Sequence, residues 1–168
     1  MAGGRRIMTI ALVIVLAVAG FIAGWFVGRT GLGSAVDPAS LADHERAFTE
    51  RMRNVELVGS FTTDGREDRT PSPDRYGVSS VEKVGDDLWR FNASMDCCGI
   101  NGDIPVVVPL RWVGDTPMIM MTDTSLPGVG TFTVRLFFYE DRYAGTWQHG
   151  ERGGLMYGRI EPRGSGGQ

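Results

Sequence analysis

From Val55 onward, apolar residues recur at every second position in one segment after another. Trp89, Phe91, Ala93 and Met95 alternate with Arg90, Asn92, Ser94 and Asp96. Ile104, Val106, Val108, Leu110 and Trp112 alternate again, as do Phe132, Val134, Leu136 and Phe138. Successive side chains of a strand point to opposite faces, so this pattern specifies strands with one apolar and one wet face, as in antiparallel sheets. Eight strands are expected, near residues 55–64, 75–84, 87–96, 104–113, 118–124, 130–139, 143–149 and 154–161. The connections are short and carry turn signals such as Gly85-Asp86 and Gly114-Asp115, so an up-and-down meander is the simplest order. Such a meander tends to close, because closure removes both unpaired edges. The predicted class is therefore all-β, an eight-stranded antiparallel up-and-down barrel.

Finer expectations follow. Pairing across Gly85-Asp86 sets Tyr76, Val78 and Ser80 on one face with Met95, Ala93 and Phe91, and Glu82 against Trp89. Pro105 and Pro109 lack an amide donor, so their strand should be an edge or carry bulges. Upstream, Leu41, Phe48, Met52 and Val55 recur at helical spacing and predict a short helix to about Arg53 whose stripe lids a core. Asp37-Pro38, or alternatively Ser40-x-x-Asp43, would cap its start. His44, near the stripe, reads as a surface residue. The polar loop Asp64–Pro73 mixes acids with arginines and reads as solvated rather than calcium-binding.

Ile7 to Val27 is a run of 21 residues without a charge. As a helix rising about 1.5 Å per residue it would just cross a hydrocarbon core of roughly 30 Å. That length favours an uncleaved anchor over a signal peptide, whose apolar core is about 7–15 residues. Arg5 and Arg6 precede it, which by the positive-inside rule sends the rest of the chain outward. The expected location is the bacterial inner membrane, single-pass, with the C-terminal domain extracytoplasmic, or secretion if the segment is cleaved. Gly20, Gly24 and Gly28 would share one helix face and suit self-association of the anchor. The expected organisation is an anchor at 1–28, a flexible tether at 29–37, helix plus barrel at 38–161, and a disordered tail at 162–168.

Charge and composition narrow the function. Beyond residue 36, fourteen basic residues face twenty acidic ones, which disfavours nucleic acid as a partner. Cys97-Cys98 is an adjacent pair with no further cysteine to complete a metal site, so it reads as free thiols in a loop. The stretch "DRYAGTWQHGERGGLMYGRI", Asp141 to Ile160, sets His149 near Glu151, but no nucleophile motif or metal spacing accompanies them. It reads as a hairpin, with Tyr143, Gly145, Trp147 and His149 on one face and Gly145 opposite Gly158. Catalysis is not expected; Glu82 and Asp123 are the carboxylates to watch, Asp123 sharing parity with Ile119 and Met121. No cofactor or metal is expected. The predicted inward set is aromatic and apolar, and Tyr76, Trp89, Phe91, Trp112, Tyr143 and Trp147 are its candidate ligand-binding residues.

A helix followed by an eight-strand meander, with Gly59-x-Phe61 in the first strand and Gly145-x-Trp147 in a late one, resembles the lipocalin-like (calycin-type) barrels over Val55–Glu161. The family carries Gly-x-Trp where this chain has Gly59-x-Phe61. The chain is also similar to uncharacterised bacterial membrane-anchored proteins with a small β-domain. The resemblance implies a binding module for a small hydrophobic ligand. The alternative is a structural or interaction module of the cell envelope without a ligand.

Overall fold

The computed structural model describes residues 34–66, 68–95, 104–126 and 130–164. Ile7–Val27, with Gly20, Gly24 and Gly28, lies outside them, as do Cys97 and Cys98. Among the described residues no helix is long and apolar enough to cross a membrane. A 3-10 turn at Pro38–Ser40 leads into helix α1, Asp43–Arg51. Then come β1 (Val55–Phe61), β2 (Ser72–Lys83), β3 (Leu88–Met95), β4 (Ile104–Val113), β5 (Thr116–Leu126), β6 (Gly130–Tyr139), β7 (Arg142–His149) and β8 (Arg152–Pro162).

Each strand pairs antiparallel with its sequence neighbours, and β1 pairs with β8, closing the barrel in the order predicted. Closure leaves neither end of the meander as an open edge. β8 runs through Pro162, and the Arg163 amide donates to the Asn54 carbonyl at 3.0 Å. Pro162, placed in the tail by the sequence reading, thus belongs to β8.

Two bulges break the simple period. At Ser79 the β2–β3 register shifts, so Val78 pairs with Ala93 but Val81 pairs with Phe91. Ser80 thus faces Asn92, not Phe91, and Glu82 faces Arg90, not Trp89. The extra residue turns Val81 into the core and Glu82 outward, where it forms an ion pair with Arg90. In β5 a second bulge lies between Met121 and Thr124. It turns Asp123 out at a φ of 46°, with its amide bonded to Thr133 Oγ1 at 3.0 Å. Asp123 is exposed, against the partial burial its parity suggested.

β4 meets the expectation for its prolines in an unexpected way. Pro105 and Pro109 lie on the half that pairs with β3, and β4 pairs with β5 only over Leu110–Val113. The missing amide donors therefore fall where β4 has a ladder on one side alone.

α1 plugs one end. Neither expected cap starts it: Asp37 Oδ1 caps the separate 3-10 turn, and Ser40 Oγ donates to the Asp37 carbonyl. Glu45 instead accepts from the Ala42 amide at 3.1 Å, where α1 begins. Its other oxygen holds Lys83 Nζ at 2.6 Å, tying α1 to the end of β2. Burial alone would raise the Glu45 carboxyl, but the hydrogen bonds from Lys83 and Ala42 outweigh it and lower the pKa. The helix then drives Phe48 into the barrel mouth. Its ring centroid lies 5.6 Å from Phe138, 5.8 Å from Trp112, 6.1 Å from Trp89 and 6.4 Å from Phe91. Phe48→Ala should cost about 3–5 kcal/mol by leaving a cavity that the four surrounding aromatic rings cannot collapse to fill. Urea denaturation of the two chains checks this; a loss under about 1 kcal/mol would mean the helix is an accessory.

Candidate functional site

The barrel interior divides into two halves. At the helix end, Phe48, Trp89, Leu110 and Phe138 are almost completely buried and fill the space. Toward the opposite end, Val106, Phe132, Val134 and Met156 pack against that core but stay only partly buried. The six candidate ligand-binding residues are therefore not one constellation. Trp89, Phe91 and Trp112 hold the Phe48 ring. Tyr143 starts near the helix end of β7, where it pairs with Phe138, Tyr76 pairs with Leu57 on the helix side of Asp74, and Trp147 belongs to the open half. There Trp147 lies edge-on to Phe61 at 5.8 Å and donates from Nε1 to the Thr62 carbonyl at 3.2 Å. The two aromatics of the Gly-x-aromatic segments thus meet across the barrel seam.

Besides the buried and unpaired Trp112 Nε1 at the plug, a second polar feature is built where β7, β8, β1 and β2 line up as Tyr143, Gly158, Gly59 and Asp74. Gly145 does not face Gly158; it pairs with Met156, and Gly158 pairs with Tyr143. Both still face inward, and Gly158 leaves its space to the Tyr143 ring. A side chain at Gly158 would come within 2.7 Å of Tyr143 Oη, and one at Gly59 would collide with the same atom. The tyrosine therefore lies flat along two glycines, reaching across two strands toward β2. Its hydroxyl is buried and has no hydrogen-bond partner among the described residues.

Asp74 is the residue that sequence reasoning missed, because it stands at the edge of a loop assigned as solvated. Its shared parity with Tyr76 and Val78 was the signal that it faces inward. Burial raises its pKa, against the hydrogen bonds from the Tyr76 side chain and the Arg75 amide, which lower it. Among the described residues no cation is bridged to it, since Arg75 turns outward to Glu56. Burial, and then the Asp74 charge, push the Tyr143 hydroxyl up to about 12. An acceptor without a cation and a donor without an acceptor thus share one level of an apolar interior.

The other candidates carry less. His149 is exposed at the β7–β8 turn and stacks on Phe132 at 4.5 Å, a packing role. His44 is exposed and edge-on to Trp112, also at 4.5 Å. No group of metal-ligating side chains gathers among the described residues. A surface groove of about 360 Å³ at the helix end lies between Arg51 and Asp141, whose carboxylate is already paired to Arg159. No family model matches the chain, and no curated protein or solved structure matches it.

Two outcomes test this arrangement. Tyr143→Phe should leave stability unchanged or raise it by up to about 1 kcal/mol, because it removes a buried hydroxyl that makes no bond; a clear loss in thermal melting would mean the hydroxyl has a partner. The folded chain binds the Asp74 proton more tightly than the unfolded chain, whose carboxyl keeps its ordinary value of 3.8. Stability from this group is thus present at low pH and lost as pH rises from about 3.8 through the raised folded value. Asp74→Asn should remove that loss, read as the wild-type minus variant difference in unfolding free energy across the acid range.

Proposed function

We propose that this domain is a carrier of a small, largely apolar ligand, held in the open half of a lipocalin-like barrel. The observation that carries the reading is the buried Tyr143 hydroxyl with no partner among the described residues. A buried donor left unpaired costs about 1–3 kcal/mol, and a side chain kept at that cost is explained by a ligand that supplies the acceptor. The half-buried wall beyond it, from Val134 to Met156, offers apolar surface for the rest of such a molecule. The role we propose is binding rather than catalysis: the two exposed histidines lie against the Trp112 and Phe132 rings.

In this reading Ile7–Val27 anchors the chain in the inner membrane, with the barrel on the extracytoplasmic side, and the Gly20, Gly24 and Gly28 face packs two anchors together. A ligand-free envelope interaction module is the second reading. It is favoured by an exposed apolar row on the outer wall, where Phe137 and Tyr157 flank Ala144, with Leu155 next to them.

Native mass spectrometry on the full chain held in amphipol, beside a denatured sample, decides between them. The carrier reading expects excess mass that disappears on denaturation and falls in the Tyr143→Phe chain. A clean chain mass with no uptake of long-chain probes would overturn it and leave the outer wall as the surface to pursue.

A further inference from the structure

We infer that Asp74 and Tyr143 form the floor of the ligand site and select a molecule whose buried head is a neutral hydroxyl. This rests on the carrier reading and adds the chemistry of the ligand. Tyr143 Oη lies over Gly59 and Gly158, and Asp74 is the Cα partner of Gly59 on the next strand. Neighbouring strands run about 4.8 Å apart, so the two groups face the same small volume. Below that level the barrel is filled by Leu110, Trp89 and the Phe48 plug. Above it β8 continues from Gly158 to Gly154, about 13 Å of wall at roughly 3.3 Å per residue. Gly154 is the Cα partner of Trp147 and Gly145 that of Met156, so the wall above the floor is apolar on β7 and β8. A head group seated at the floor would direct its tail along this wall, away from the helix.

The hydrogen-bonding capacities decide which head fits. An ionised carboxylate offers about four acceptor sites; Asp74 uses them for the Tyr76 side chain and the Arg75 amide. It can still accept, and Tyr143 can still donate. An alcohol does both jobs at once, donating its proton to Asp74 and accepting from Tyr143 Oη. A ligand carboxylate would set a second anion beside Asp74 in a poorly solvated site, where one of the two must take up a proton. A quaternary ammonium could offset the charge, but it donates no hydrogen bond to Asp74 and accepts none from Tyr143. A site that pairs both of its polar groups with one hydroxyl rejects analogues that leave either unpaired.

The test uses three probes of one chain length, decan-1-ol, decanoate and decyltrimethylammonium, titrated at pH 8 into the full chain in amphipol. Binding is read from the stoichiometric adduct in native mass spectra and from tryptophan emission. Decan-1-ol should bind at least about tenfold more tightly than either ion, and Tyr143→Phe should cost it about tenfold. Asp74→Asn should bring decanoate to within a few-fold of the alcohol, because the like charge is gone. Should decanoate match or exceed decan-1-ol in the wild-type chain, hydroxyl selection is overturned while the carrier reading stands. Should none of the three form an adduct with any chain, the carrier reading falls and this inference with it. Equal loss of all three probes in Tyr143→Phe would show the ring packing rather than the hydroxyl at work, and would also overturn the selection.

Discussion

The barrel depends on the seam where β1 meets β8. Seven of the strand pairings join neighbours in the sequence. The eighth needs two distant strands to come to hydrogen-bonding distance while a tyrosine lies between them and the interior. Glycine at positions 59 and 158 makes this possible, since a side chain at either would strike Tyr143 Oη. Gly154 serves the same seam higher up, where a side chain would collide with the Thr62 carbonyl. Backbone closure and the placement of the unpartnered Tyr143 hydroxyl are thus a single steric solution.

From that solution follows the division of the interior. Aromatic volume is concentrated at the helix end, where Phe48 completes a cluster with Trp89, Phe91, Trp112 and Phe138. The chain's single lysine, Lys83, secures the plug through Glu45 and also lies 5.9 Å from the Trp89 ring. With the core energy placed there, the other half can leave its aromatics partly exposed. In the proposed carrier, stability and binding thus draw on different residues, which eases the usual conflict between the two.

Much of this was legible in the sequence because strand periodicity carries face information at every residue. The parity of Tyr143 and Trp147 assigned both to the interior, and the helical stripe through Phe48 and Met52 announced the lid. Two of the misreadings share one physical cause. A bulge adds a residue with no mark in composition, and every inference past it is inverted: Ser79 moved Glu82 from the rim beside Trp89 to an outer pair with Arg90. The Thr122–Asp123 irregularity exposed Asp123 in the same way. Asp74 escaped notice for the opposite reason. Its parity was right, but a charged residue beside two prolines reads as loop until a neighbouring strand shows which way it faces.

The seam also sets an order of events during folding. The pairings between sequence neighbours begin no more than eleven residues apart, whereas Val55 pairs with Pro162 across roughly a hundred residues. Closing so long a loop has an entropic cost that no local contact offsets beforehand. In a sheet that builds from its hairpins, the two outer strands find each other last. Until it happens, both edges are unpaired and able to add a strand from another chain. The most vulnerable moment in the life of this protein is the interval before its first strand meets its last.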